Sequence, residues 1–361
     1  MSQAKRIGYL DAMRGVTMIM VVFSHVLLFS FGRQSVPSFN SLFSIIMLPL
    51  FFFISGFLMN HRFRDDGKEL FPFIKKKFNS VVIPTVIFQS LFAIIFFGGA
   101  MLWVEKAKSG FWFTYTLFFF FLFFSVGDFL LSRVFKEKQM LWAGVVAACM
   151  VYAFSKFSLS PSCPWADSPV SHFFGFANLQ FYIFFYFGIV VGHRREAFFK
   201  LFDDSKSMAV LIVVSVLLVV LLLVPSVRDS FIGICGFSAF SVVKSIFAFG
   251  GIMMIFCFFR RYESSFSKDT YVGRSLQYVG SRTLDIYLLH LFFIRFDLNM
   301  VGDFLSLHGN PILELVLGLA YSLLIIGICS VISNLLRCSD ALAKLLFGKV
   351  IPPEHRIQVE K

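Results

Sequence analysis

The chain has 361 residues, of which 58% are hydrophobic and 15% charged, and its mean hydropathy is +0.80. Soluble domains carry about 25% charged residues and rarely hold apolar runs of 18 or more, so this composition excludes a soluble globular protein and implies a polytopic α-helical membrane protein. The formal net charge of +12 would suit a nucleic-acid partner, but the basic residues gather in short segments between apolar runs, and no nucleic-acid binding is expected.

Taken in chain order, ten apolar stretches read as membrane spans: residues 10–31, 42–60, 80–104, 111–131, 140–156, 176–192, 208–225, 237–259, 281–297 and 311–336. The first run is too long for a signal peptide and lacks a small-residue cleavage site, so an uncleaved helix is expected. On one side lie Lys5 and Arg6, the basic segments 61–79, 132–139, 193–207 and 260–282, and the tail from Arg337. The other side holds only Arg33, Lys106, Lys108, Lys156 and Arg228, while Arg14, Lys244 and Arg295 fall within spans. The bias places the basic side, and with it both termini, in the cytoplasm, as an even number of spans requires. The outer segment 157–175 contains Pro161, Pro164 and Pro169 and is too short to fold alone. No linker marks a second domain, so residues 1–336 read as one membrane domain and 337–361 as a cytoplasmic tail. The 53 phenylalanines read as lipid-facing filler. The six cysteines lack metal-ligand spacing: Cys149, Cys257 and Cys329 read as apolar packing residues, and Cys163 and Cys235 fall in outer segments, where an oxidising compartment would allow a disulfide between them. No metal is expected.

The first span contains Leu10-Asp11-Ala12-Met13-Arg14-Gly15 and then Phe23-Ser24-His25. A central Arg costs roughly 2.5–3.5 kcal/mol on insertion scales, so ionisable groups here are functional candidates. The spacing from Arg14 to His25 returns both to nearly one helix face, about 16 Å apart along the axis. His25 suits general-base work on a hydroxyl, or it hydrogen-bonds a neighbouring helix. Arg14 stays protonated and can bind a phosphate or polarise a carbonyl, with Asp11 three residues earlier holding it in place.

The second span carries Pro49, which kinks a helix, and Ser55-Gly56, which allow close helix packing. Next come His61, Arg62, Arg64, Lys68 and Lys75-Lys76-Lys77. These act as an orientation signal or bind a polyanion, and coenzyme A, with several phosphates, fits. Late in the chain, Asp285 and Tyr287 stand near the cytoplasmic start of the ninth span, with His290 deeper. Arg295 and Glu314 fall near the outer face, where they pair or line an acceptor site.

Leu10-Asp11-x-x-Arg14-Gly15 followed by His25 resembles the first-helix motif of the membrane-bound acyltransferase 3 family. The Pro49–Gly56 stretch, the Lys75–Pro84 stretch and Tyr287-Leu288-Leu289-His290 resemble its later motifs in the family's order. The resemblance implies an all-α bundle of ten helices that moves an acyl group, commonly acetyl, from cytoplasmic acyl-CoA to a hydroxyl of a sugar or glycan at or beyond the outer face. It makes His25 and Arg14 the catalytic pair, with Asp11, Tyr287 and His290 in support. Arg62, Arg64, Lys75, Lys76 and Lys77 would meet the donor. Acyl-CoA, with acetyl-CoA foremost, would be a co-substrate and no cofactor would stay bound; the acceptor would be a carbohydrate or lipid-linked glycan, and the site the bacterial inner membrane. Relatives often carry Arg-x-x-Arg before the third helix, where this chain has Lys77 and Ser80. Some relatives also carry a fused SGNH-type domain, for which a separate partner would have to substitute here. The competing readings are a proton-coupled transporter, which also uses buried Arg, His, Lys and Glu, and a non-catalytic subunit of a glycan assembly complex.

Overall fold

The computed structural model describes residues 7–32, 39–59, 67–98, 105, 108–159 and 163–348, and these residues contain helices and no strand. In chain order, α1 (Gly8–His25) passes directly into a π-helical turn at Val26–Ser30, and α2 (Phe39–Phe57) follows. A second π turn, Phe78–Val82, joins α3 (Leu70–Lys77) to α4 (Ile83–Phe97). After a 3-10 turn at Lys108–Gly110 come α5 (Trp112–Leu131) and α6 (Glu137–Ser158). Then α7 (Pro169–Phe174) leads through a 3-10 segment, Phe176–Phe181, into α8 (Tyr182–His193). The remainder is α9 (Arg195–Asp203), α10 (Ser205–Leu223), α11 (Pro225–Arg261), a 3-10 turn at Glu263–Phe266, α12 (Tyr271–Ser281), α13 (Thr283–Phe293), α14 (Asn299–His308), α15 (Pro311–Leu336) and α16 (Asp340–Phe347).

Nine of the described helical stretches are long and apolar enough to cross a membrane, and they correspond to all the expected spans except the ninth. That one is the 11-residue α13, separated from α12 by a break at Arg282, where φ is −110° and ψ 16°. The third span begins at Leu70 rather than residue 80, because Lys75–Lys77 continue the helix instead of forming a loop. Lysine stems can lie along an apolar helix end while their ammonium groups reach water. The eighth span is the second part of α11, which kinks at Gly236, where φ is 83°. α14 falls where no element was expected.

The helices form two compact units. The first comprises Met1–Met59, Phe187–Ile286 and Phe293–Ile328. Within it α1 lies along α12 and also meets α2 and α11. Glycine explains the closeness: a Cβ on Gly280 would overlap the Asp11 carbonyl oxygen, and one on Gly15 would overlap that of Leu276. Membrane helices gain no hydrophobic drive from meeting each other, so small residues that admit a second backbone set where they cross. Gly188 of α8 meets the α2 backbone at Phe53 and Phe57 in the same way. The π turn after α1 is tied down by Ser30, whose Oγ donates to the Ile294 carbonyl at 2.6 Å and whose carbonyl accepts from Leu298 N at 2.9 Å.

The second unit comprises Asn60–Tyr186, Tyr287–Phe292 and Cys329–Lys361. Here α3 packs on α5, and α16 packs on α4, with Phe347 stacked on Phe88 at 5.8 Å. The α6 helix is fastened to the following 3-10 segment by Ser155 Oγ, which lies 2.7 Å from the Phe176 carbonyl and 3.0 Å from that of Ala177. Phenylalanine is more than filler. Phe52, Phe53, Phe57 and Phe256 are fully buried in the first unit, as are Phe92, Phe111, Phe120 and Phe185 in the second. Ring-to-ring dispersion supplies packing where water exclusion cannot.

Candidate active site

The α1 helix forms because eighteen residues of mostly apolar side chain cross without a proline, and it stays α-helical from Gly8 to His25. The Arg14-to-His25 register of an unbroken helix therefore holds. Asp11 Oδ1 receives Arg14 Nη1 at 3.4 Å, so the expected local ion pair is present. Both side chains are partly open, at 13% and 29%. His25 is also partly open and meets Phe29 edge-on, with ring centroids 5.7 Å apart. Between them on the same face, Met18 and Val21 are buried. The face is thus accessible at both ends and closed in the middle. His25 stands at the α-to-π junction, and π turns widen the backbone where a side chain must be re-aimed.

Further along the first unit, Arg282 and Asp285 pair at 3.7 Å, with side chains only 5% and 2% exposed. This buried pair sits just beyond Gly280, the residue that seats α12 on Asp11. Glu314 is buried in the first turn of α15, and Arg295 is exposed. One turn after Glu314, Gly318 faces Phe23 and Leu27, which stand two residues before and two residues after His25.

Tyr287 and His290 belong to the second unit. The Tyr287 hydroxyl donates to the Gly110 carbonyl at 2.6 Å and accepts from Phe113 N at 3.3 Å. Its polar atom therefore fastens the start of α5. His290 is fully buried, with Nδ1 2.7 Å from the Tyr287 carbonyl. That contact fixes the ring.

The turn that Tyr287 fastens holds a residue the sequence reading passed over. Lys108 and Ser109 have φ of 44° and 52°, values that non-glycine residues seldom adopt, and Gly110 follows at 96°. Lys108 is buried, its Nζ donates to the His172 carbonyl, and Gln89 Nε2 donates to the Lys108 carbonyl at 3.5 Å. Burial pulls its amine down to about 8. Nothing in Lys-Ser-Gly signals burial, because a lysine between two spans ordinarily lies in water.

Of the basic residues expected at the donor, Arg62 and Arg64 lie outside the described residues. Lys75 and Lys76 are exposed on α3, and Lys77 Nζ sits 3.9 Å from the centre of the Phe121 ring. No group of His, Cys, Asp and Glu among the described residues is arranged to hold a metal ion. All cysteines are free, including Cys163 and Cys235.

A polytopic helical protein with ionisable residues on one face of its first span is a membrane-embedded enzyme or carrier in outline. The acyltransferase 3 family model, described as an acyltransferase domain, matches residues 7–333. The chain belongs to this family and is an integral-membrane acyltransferase. The match decides between the transferase and the transporter. No curated protein and no solved structure matches the chain.

Proposed function

We propose that this acyltransferase moves an acyl group, acetyl first among candidates, from cytoplasmic acyl-CoA to a hydroxyl of an envelope or exported carbohydrate. The observation that carries the reading is the α1 face, open at Asp11 and Arg14 near one end and at His25 near the other. About 16 Å of helix separates Arg14 from His25, so both cannot touch one reacting carbonyl. Their roles must divide. Arg14, at the end facing the cytoplasm by the charge pattern, binds the donor; its planar guanidinium suits phosphate or carbonyl oxygens. The long pantetheine arm of acyl-CoA can carry the thioester from there toward His25.

At His25 the neutral imidazole accepts the proton of the acceptor hydroxyl. The oxygen forms a bond to the thioester carbonyl carbon, the carbon–sulfur bond breaks, and the departing thiolate takes the proton back from the imidazolium. The alternative is that His25 itself takes the acyl group and then passes it to the hydroxyl. Both sequences balance without a metal or redox partner.

The test is to supply membranes with acetyl-CoA labelled in the acetyl group and to assay base-labile glycan esters beside a His25→Ala control. Label that depends on His25 is expected. Equal label with and without His25 would defeat the assignment of the site, and labelled product from another acyl-CoA alone would change the donor.

A further inference from the structure

The charge pattern used Arg195 and Arg260 only as markers of orientation. The first unit gives them something more specific. Arg195, at the start of α9, lays its guanidinium over the Phe57 ring, 4.7 Å from its centre. Arg260, at the end of α11, does the same over Phe199, at 4.1 Å. Both rings rest on Phe256, at 5.2 and 6.0 Å. Tyr9, from the first turn of α1, also packs on Phe256, at 6.0 Å, and lies within electrostatic reach of Glu263 and of both arginines. One aromatic platform therefore carries two guanidiniums beside the helix that bears Arg14.

The donor inventory of the pair is unfilled. Arg260 gives Nη2 to Asp203. Arg195 has no carboxylate partner among the described residues, and Nε of each arginine is buried without a hydrogen-bond acceptor among them. The buried Nε groups face the packed rings, while the terminal nitrogens of half-buried Arg195 make no hydrogen bond among the described residues and are left to meet an acceptor that arrives from outside. A guanidinium stacked on a ring face keeps its N–H groups in the plane, pointing sideways, which is the geometry that takes phosphate oxygens two at a time. Lysine could not present that fork. The ends of α2, α8 and α11 at this platform adjoin the basic segments 61–79, 193–207 and 260–282, which the charge bias assigns to the cytoplasm.

We propose that Arg195 and Arg260 form a phosphate-binding pair that holds the phosphorylated end of the acyl donor, an inference that rests on acyl-CoA being that donor. The donor's phosphates would be gripped at the cytoplasmic end of α1, with the thioester arm directed along it past Arg14. The same chemistry would also grip the headgroup of an anionic phospholipid, and the experiment separates the two.

The full-length protein in phosphatidylcholine nanodiscs is titrated with acetyl-CoA, with phosphate-free S-acetylpantetheine and with inorganic pyrophosphate. Melting temperatures confirm that each variant is folded. Arg195→Gln and Arg260→Gln should each weaken acetyl-CoA and pyrophosphate about tenfold or more and leave S-acetylpantetheine unchanged. Arg195→Lys, which keeps the charge and is the milder change should Gln disturb folding, should recover only part of the loss. Tight acetyl-CoA binding that is the same in wild type and variants would overturn the pair and leave the function standing. Pyrophosphate binding that depends on both arginines, in a protein that ignores acetyl-CoA, would keep the pair and overturn acyl-CoA as donor. If phosphatidylglycerol in the discs abolishes pyrophosphate binding while acetyl-CoA binding is insensitive to both substitutions, the pair holds lipid and the donor assignment falls.

Discussion

At the scale of single residues, the distance between Arg14 and His25 assigns their work. A base that must take a hydroxyl proton during bond formation contributes roughly 10²–10⁴ in rate. His25→Ala should therefore lower kcat for acyl transfer by that range, while donor binding stays near wild type. Arg14→Lys should show the opposite split, with KM for the donor raised and kcat changed less, because Lys keeps the charge and loses the fork. Steady-state kinetics on purified protein read both; equal kcat losses in the two variants would contradict the division. Lys108 gives a separate prediction, about stability. Its folded amine titrates near 8 against an ordinary 10.5, because burial disfavours the charged form. Between those values the unfolded chain binds more protons than the folded one, so this group makes stability rise as pH climbs from 8 to 10.5; below 8 its cost is constant. Lys108→Met should remove that rise. Melting temperatures of wild type and variant from pH 7 to 11 check it, and parallel curves would refute the assignment.

At the scale of elements, the α1–α12 contact places the candidate site, and two glycines permit it. Adding a methyl group at Gly280 drives it into the Asp11 carbonyl, which is backbone and cannot swing away. Gly280→Ala should cost on the order of 1–3 kcal/mol of stability, since the helices must separate. It should also lower activity by shifting Asp11 and Arg14. Gly327→Ala, with open space at its Cβ position, is the matched control and should be neutral. Thermal unfolding and acyl transfer measured on both variants decide it. Here the limits of the sequence reading become physical. The spans were legible because each needs about twenty apolar residues, and nine of the described stretches meet that demand. Arg14 and His25 were legible because charge in a span is costly. The π turn after His25 was not, because Val26–Ser30 is as apolar as any α-helical turn. Gly15 reads in the sequence only as a motif letter and Gly280 carries no signal at all, since the meaning of each lies in a neighbour two hundred and more residues away.

At the scale of the whole molecule, the chain reads as one stretch of linked spans, whereas the structure has two units; one boundary follows α2, at Met59–Asn60, and the others fall inside α8, α13 and α15. A continuous helix can serve two units without any change in composition, so no linker marks those inner divisions. Arg195 and Arg260 were invisible as a pair for the same reason: they meet on Phe256 only after three distant helices assemble. Orientation across the membrane, by contrast, belongs to the sequence. The bias of Lys and Arg puts the segment before the Gly236 kink outside and the segment after α15 inside. Cys235 and Cys338 mark those two segments, and both are exposed. In a variant that keeps Cys235 alone, a membrane-impermeant maleimide should label intact cells. In one that keeps Cys338 alone, it should label only after permeabilisation. The donor reading depends on this result, because cytoplasmic acyl-CoA can reach Arg14 and the Arg195–Arg260 pair only if the α1 N-terminus and the ends of α2 and α11 face inward. Labelling of Cys338 in intact cells would turn the enzyme over in the membrane. His25, not Arg14, would then lie toward the side that holds the donor.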